Sequence, residues 1–324
     1  MKRTKIGLPL RTPERGDPQT RIVGILCGIA VILLFSGFTL VSRLGLASSL
    51  KLMDIAALRF AIGGLLMLPV LLRYGLAAVR WRDALALAFT GGLGFALCAY
   101  AGFRLAPASH GAVLLHGTLP LFTFALAWQS ASTTVTGRRA CGVAAIFLGI
   151  LAMAWDTLAA STTRQWLGDG CLLLASLSWS TYGLLARRQG LMPAHAASIV
   201  AVLSMTSFLP VYLMWPGKAI LIAPWTELLL QGLFQGVLIG AVSIFVYSRA
   251  VASLGAVETA LFTAAVPGVT TAAAYFLLQE VPSVIALIGV VAVTLGMVVS
   301  MTGSAPRVCP PARRPHSRRR GLSR

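Results

Sequence analysis

Long apolar stretches recur along the whole chain and are separated by short polar connections. A helix needs about 20 apolar residues to cross the hydrocarbon core of a bilayer. A membrane-spanning barrel would instead need strands of alternating character, and the sequence has no such alternation. The pattern predicts an all-α polytopic membrane protein with ten transmembrane helices. The predicted spans are 22–41, 53–72, 84–103, 111–130, 140–155, 170–186, 196–215, 228–247, 259–278 and 284–301.

The composition agrees with a membrane protein. Only 11% of the residues are charged and 57% are hydrophobic, whereas about 25% of the residues of a soluble domain carry a charge. The net charge of +18 lies mostly in the two tails and in a few short connections. It does not follow an amphipathic helix with aromatic residues, so we expect no nucleic-acid partner. The expected partner is the lipid bilayer, and whether the basic C-terminal tail has a partner of its own stays open.

The distribution of Lys and Arg predicts the orientation of the chain. The connections on the side opposite the termini carry few basic residues, which are Arg43, Lys51, Arg104, Arg164 and Lys218. Basic residues are enriched on the cytoplasmic side of membrane proteins. We therefore expect a multi-pass protein of the bacterial inner membrane with both termini in the cytoplasm. The first apolar run exceeds the core of a signal peptide, which has about 7–15 residues, so we expect it to be a retained span.

The two halves of the chain repeat one another. Several residues align at a constant offset of 147, and these pairs are Tyr100 and Tyr247, Pro120 and Pro267, Gly142 and Gly289, and Gly149 and Gly296. At an offset of 144, the aromatic residues Phe35 and Phe38 align with Trp179 and Tyr182. A register kept over so many residues without a gap is not expected from chance matches between apolar helices.

This repeat predicts the domain organisation. Two five-span units cover 22–155 and 170–302, and a periplasmic linker 156–169 joins them. Basic cytoplasmic tails cover 1–21 and 303–324. Because five is an odd number, the second unit enters the membrane upside down. Inverted repeats of this kind are typical of secondary transporters, whose halves open a central site to alternate sides.

Two prolines occupy equivalent positions in spans four and nine. A helical proline removes one backbone donor and leaves the carbonyl four residues earlier without its partner. For Pro120 and Pro267 these carbonyls belong to His116 and Thr263. Two interpretations stay open, because such kinks either shape helix packing or open the backbone to a cavity.

Several segments resemble the drug/metabolite transporter superfamily in its EamA-like branch. The segment DIAALRFAIGGLLMLP is similar to the family's second span, which carries one Arg. SHGAVLLHGTLPLFTFALAW and GAVETALFTAAVPGVTTAAAYFLLQE look like its fourth and ninth spans. GRRACGVAAIFLGILAM and ALIGVVAVTLGMVVSM resemble its closing helices. The resemblance covers about residues 22 to 302.

The resemblance implies a bundle of ten spans formed by two EamA units around a central cavity. It implies export or exchange of small metabolites, with amino acids prominent. The chain departs from the family at one point, because Thr133 stands where the first half usually carries an acidic residue. The equivalent acid, Glu280, is therefore present in the second half only.

Polar and aromatic residues within the spans are the candidate solute contacts. We expect Phe35, Phe38, Trp179 and Tyr182 to form cavity walls. The further candidates are Tyr100, His116, Tyr247 and Thr263. His116 is the one mid-span group suited to proton coupling, although a histidine in that position can also simply bond a neighbouring helix.

Charged residues near the spans form a second group of candidates. Arg59 could pair with a substrate carboxylate, hold a partner helix, extend to the surface or pair with Asp54, and we expect a structural or gating role. Glu258 could titrate or cap the start of span nine, and capping is the favoured role. Glu280 is assigned to the same gating or structural group. Asp54 and Asp169 are expected to cap the helices that they begin.

No cofactor or metal site is expected. The cysteines show no CxxC pair, and the histidines at 110 and 116 lack acidic ligands nearby in the sequence. An intramembrane enzyme acting on lipid would need a cluster of reactive groups, and neither HExxH nor GxSxG occurs. A non-transporting scaffold would not require an inverted repeat. We therefore expect a non-enzymatic secondary transporter for efflux or exchange of a small organic metabolite, such as an amino acid. Substrate, direction, proton coupling and the choice between monomer and homodimer stay open.

Overall fold

The computed structural model describes residues 18–76, 79–128, 137–159, 163–189, 191–254, 259 and 262–301. Within these ranges every regular element is helical. This confirms the predicted all-α class. Backbone groups in a bilayer must bond within their own segment, and helices meet that requirement.

The helices of the first half cover the predicted spans. They are α1 Pro18–Ala47, α2 Leu52–Tyr74, α3 Trp81–Leu105, the short helix Ala108–His110, α4 Leu119–Trp128 and α5 Gly137–Ala159. Within α3, Trp81–Ala88 and Gly94–Leu105 flank a π-helical stretch, Phe89–Leu93. A second π-helical segment, Gly111–Gly117, precedes α4.

The helices of the second half follow the same order. They are α6 Thr163–Arg188, α7 Pro193–Met214, α8 over 225–254, α9 Val266–Leu278 and α10 Val284–Met301. Within α8, Trp225–Gln231 and Ser243–Leu254 flank the π-helical stretch Gly232–Val242. At the offset of the sequence repeat, the π-helical stretch of α3 corresponds to part of the one in α8. Helices α5 and α6 also extend into the predicted linker 156–169.

Among the described residues, five helices have the length and apolar composition needed to cross a bilayer. They are Pro18–Ala47, Leu52–Tyr74, Trp81–Leu105, Pro193–Met214 and Trp225–Tyr247. Shorter apolar helices are Ala140–Ala152, Phe262–Leu278 and Val284–Ser300. Large apolar side chains such as Leu26, Leu33 and Leu213 are exposed on the outside of the bundle. This outward apolar surface is what a bilayer would cover.

Equivalent helices of the two halves make equivalent main contacts. Helix α2 packs along its counterpart α7, and α5 packs along its counterpart α10. Helix α1 of the first half lies against α8 and α9. Its counterpart α6 lies against α3 and α4. Exchanging each of these helices for its counterpart reproduces these contacts.

Glycines bring α5 and α10 unusually close together. A Cβ atom at Gly142 would lie 2.6 Å from the Gly296 carbonyl oxygen, and one at Gly296 would lie 2.7 Å from the Gly142 oxygen. Gly149 approaches the backbone of Gly289 in the same way. These are the four glycines that the repeat aligns, so the two closing helices share one symmetric seam.

Leucine at Gly296 is expected to destabilise the protein, because any side chain there meets backbone atoms that cannot rotate away. Overpacking of this kind costs about 1–3 kcal/mol, and the Tm in detergent should fall by several degrees. Leucine at Gly183 is the matched control, since nothing lies within 4 Å of a Cβ atom at that helical glycine. Equal Tm values for the two variants would contradict the seam.

Candidate functional site

Arg59 places a cation inside the helix bundle. Its side chain belongs to α2 and is buried, and its guanidinium carbon lies 5.2 Å from the centre of the Phe38 ring and 5.7 Å from that of Phe95. These rings come from α1 and α3, so three helices meet at the cation. The ring faces offset part of the loss of solvation. Nη1 of Arg59 has no hydrogen-bond partner among the described residues.

A chain of aromatic rings continues from Arg59 into α6. The ring centres of Phe95 and Trp179 are 4.7 Å apart, and those of Trp179 and Tyr182 are 5.1 Å apart. On the other side, Phe38 contacts Tyr100 with ring centres 6.1 Å apart. We call these five residues the central aromatic cluster. They form a continuous aromatic region beside Arg59 that draws on both halves of the chain.

Polar side chains of α8 complete this region. The Tyr100 hydroxyl donates to Gln235 Oε1 at 3.1 Å, and Gln235 Nε2 donates to the Ser42 hydroxyl at 2.9 Å. Tyr100 and Gln235 are fully buried. One turn earlier, Gln231 donates to the Val41 carbonyl, and its Oε1 atom has no partner among the described residues. Hydrogen-bonding groups from α1, α3 and α8 therefore lie next to the aromatic cluster.

A second aromatic group lies one turn along α1. The Phe35 ring stacks on His116 with centres 5.5 Å apart and planes 11° apart, and on Tyr247 at 6.3 Å and 20°. His116 is buried, and its Nε2 atom has no partner within the described part of the chain. The group again combines residues from both halves, because Tyr247 belongs to α8.

The helix breaks near the two prolines are equivalent. A bend at Thr118 separates the π-helical segment from α4, and a turn at Ala265 precedes α9. Each break lies two residues before its proline, Pro120 in one half and Pro267 in the other. Proline suits the first turn of a helix because it has no N–H to satisfy there. Both prolines therefore start a new helical segment after an interruption.

Charged contacts tie the helix ends together on one side of the bundle. Arg43 pairs with Glu280, and it also donates to the carbonyls of Phe103 and Ala106 at 2.7 and 2.6 Å. The second oxygen of Glu280 accepts the Ala108 N–H at 2.7 Å. We call this side the Glu280 end, which carries the connections 48–51, 106–107, 215–224 and 279–283. Three separate stretches of chain are held there by one carboxylate.

Asp54 also lies at the Glu280 end and is fully engaged. It accepts the Tyr212 hydroxyl at 2.6 Å, the Lys51 N–H at 2.9 Å and the backbone N–H groups of Ala219 and Ile220 at 3.3 Å. The bond to Lys51 caps the start of α2, as the sequence predicted. These partners leave the Arg59 guanidinium to the aromatic rings and the Tyr100 hydroxyl rather than to Asp54.

The model of the EamA-like transporter family matches this chain twice, over residues 22–155 and 166–302. The chain belongs to the EamA-like transporter family. No curated protein matches the chain. One solved structure, titled "Crystal structure of protein", resembles this EamA-like chain with a TM-score of 0.55 at 20% sequence identity. The match covers 86% of this chain and 97% of that one, and at this identity it supports the fold alone.

The predicted site residues of this EamA-like protein fall into separate groups. Phe38, Tyr100, Trp179 and Tyr182 lie in the central aromatic cluster, whereas Phe35, His116 and Tyr247 form the second stack. Thr263 is half-buried before the break that precedes α9. Glu258 lies outside the described residues. Solute binding by any of these residues stays a prediction.

Several of these contacts have no signal in the sequence or a different one. Phe95 is one of many apolar residues in its span and had no distinguishing signal, whereas Gln235 was visible as a polar residue in an apolar run. Asp169 was expected to cap the start of a helix, but α6 begins at Thr163 and the carboxylate instead bonds His110. The sequence predicts Arg43 as a loop charge, because spacing cannot show a partner as distant as Glu280.

Proposed function

We propose that this EamA-like protein is a secondary transporter that carries a small organic solute with a carboxylate group, such as an amino acid. In this proposal the solute binds at Arg59 and the central aromatic cluster, and the two halves expose that site to alternate sides. The chain provides the site and the moving halves and performs no chemical step on the solute.

The unused guanidinium nitrogen of Arg59 is the observation that carries the proposal. A buried charge is costly unless a partner compensates it. The rings of Phe38 and Phe95 compensate only in part. The planar guanidinium matches a carboxylate with two parallel hydrogen bonds, which are stronger than those between neutral groups. A solute carboxylate would satisfy the nitrogen that the described residues leave unpaired.

The surrounding residues favour an amphiphilic solute. Phe95, Trp179 and Tyr182 offer ring surface to an apolar part of the molecule. Gln231, with its unpaired Oε1, offers an acceptor from α8. Ligand sites commonly combine such apolar walls with a few polar groups that fix orientation. A molecule that joins a carboxylate to an amine or a ring fits this set.

The architecture supports alternating access. We infer ten spans in two inverted units, because the helix contacts, the π-helical stretches and the two breaks repeat between the halves. Broken helices near the middle of the bilayer are typical of transporter binding sites. We place both termini in the cytoplasm of a bacterium, with the Glu280 end facing the periplasm, from the distribution of basic residues.

Uptake by proteoliposomes tests the proposed function. A panel of radiolabelled amino acids and other small carboxylates should include at least one solute that enters protein-containing vesicles faster than empty ones. The matched carboxamide or ester of that solute should enter at least about tenfold more slowly, because it loses the charged hydrogen bonds to Arg59. Equal rates for acid and amide would contradict the carboxylate assignment, and absence of uptake across the panel would contradict transport of this class.

A further inference from the structure

A histidine–carboxylate pair is buried at the Glu280 end, apart from the central aromatic cluster. His110 Nδ1 lies 3.0 Å from Asp169 Oδ1 and 3.2 Å from Oδ2. Only 1% of His110 and 7% of Asp169 are exposed. His110 ends the short helix before α4, and Asp169 lies in α6. The pair therefore links the first half of the chain to the second.

A cavity of about 270 Å³ with a mixed polar and apolar lining lies against this pair. Its wall includes His110, Ser109, Gln165, Thr271 and Glu280. The Thr271 hydroxyl is buried and has no hydrogen-bond partner among the described residues. A cavity of this size, with several polar groups in its wall, has room for several water molecules.

The rim of the cavity reaches the surface of the bundle. Val281 lines it and is 80% exposed. The cavity therefore extends from the buried pair to the surface of the bundle. The central aromatic cluster shares none of the residues that line this cavity.

The other charged groups at this end are already engaged or exposed. The Glu280 carboxylate pairs with Arg43 and accepts the Ala108 N–H. Arg104 and Arg164 are exposed at their helix ends. The stretches of α9 and α10 that line the cavity contribute only uncharged residues. Histidine is the side chain that ordinarily changes charge between about pH 5 and pH 8.

We propose that the His110–Asp169 pair is a proton-binding site that controls the opening of the Glu280 end. The inference rests on the proposed function, since it assigns this end to one of the two exits of the solute. With a proton on His110, an imidazolium faces a carboxylate and the two halves are held firmly. When the proton leaves through the cavity to water, the ion pair is lost and the neutral ring can offer the carboxylate only an N–H hydrogen bond. This end therefore opens more readily as the pH rises.

Cysteine labelling measures this opening without a known solute. The full chain, with its native cysteines replaced, would carry either Ala274→Cys in the cavity wall or Val281→Cys at its exposed rim. A membrane-impermeant maleimide reacts faster with any thiol at higher pH, so the quantity to compare is the rate at 274 divided by the rate at 281. We expect this ratio to rise about fivefold from pH 5.5 to pH 8, because the ion pair holds the two halves more strongly than a hydrogen bond from the neutral ring.

Two variants assign the effect to the pair. In His110→Gln and in Asp169→Asn the ratio should no longer vary with pH. His195→Gln is the matched control, because His195 is also buried but bonds the Gly75 carbonyl at the opposite end. The proposal would be overturned if the ratio of labelling rates did not change with pH in the protein that keeps both His110 and Asp169. An unchanged pH dependence in either variant would also overturn it, provided that its elution profile and Tm match the parent.

The uptake assay separates this inference from the proposed function. If labelling depends on pH through His110 but no solute of the panel enters, the proton site stands and the carboxylate transport proposal fails. If uptake of a solute depends on Arg59 but the labelling ratio does not change with pH, the transport proposal is supported and the proton site is overturned. If both hold, His110→Gln should also remove the pH dependence of uptake from the Glu280 side.

Discussion

Replacing Arg59 by glutamine is expected to reduce uptake of the carboxylate solute by about 10–100-fold. Hydrogen bonds to a charged group contribute about 1.5–3 kcal/mol, and the shorter neutral amide cannot supply them. Lysine at the same position keeps the charge but loses the planar pair of donors, so an intermediate loss is expected. The measurement is the initial rate of uptake at solute concentrations below KM.

Arg104→Gln is the matched control for this experiment, because Arg104 is an exposed arginine at the end of α3. It should retain the uptake of the parent. If Arg59→Gln folds normally and transports at the parental rate, Arg59 holds neighbouring helices rather than solute. A loss of Tm in Arg59→Gln that matches the loss of uptake would support the same structural role.

Replacing Glu280 by glutamine is expected to open its end of the bundle. The substitution removes the negative charge opposite Arg43, whose guanidinium would keep only the carbonyls of Phe103 and Ala106. A charged hydrogen bond of about 1.5–3 kcal/mol then no longer favours the closed arrangement. Labelling of Ala274→Cys at constant pH should therefore become about 10–100-fold faster.

A double-mutant cycle distinguishes this tie from general destabilisation. Arg43→Gln alone should also speed labelling, and the double variant should add little to either single one. Glu227→Gln serves as the control, because this partly exposed glutamate accepts a hydrogen bond from the Ser49 hydroxyl at the same end. If Glu280→Gln labels at the parental rate, the Arg43–Glu280 pair does not hold this end closed.

The helical fold could be predicted from the sequence because each helix is marked by an apolar run within one continuous segment. Each apolar run has the length that a bilayer requires, so α2 and α10 lie close to their predicted bounds and α1 contains its predicted span. The paired prolines also predicted local disturbances of the helices, since each helix is interrupted two residues before its proline. Spacing alone could not show that the interruptions are breaks rather than smooth kinks.

The site was only partly visible because its contacts are distant in sequence. The repeat singled out Phe38, Trp179 and Tyr182, whose aromatic character recurs between the halves. Phe95 joins them only because α3 packs on α6. The residue pattern of an apolar helix does not predict which other helix it will contact. Asp169 was interpreted as a cap, since its histidine partner lies 59 residues away.

Two-sided labelling of Trp179→Cys tests most directly whether the central aromatic cluster is exposed in turn to each side of the membrane. In a cysteine-free background, an impermeant maleimide applied to right-side-out or inside-out vesicles should react at position 179 from both sides, and the carboxylate solute should slow both reactions. Leu33→Cys, on the exposed apolar surface of α1, should react from neither side. Reaction at 179 from one side only, or from neither, would contradict alternating access around Arg59.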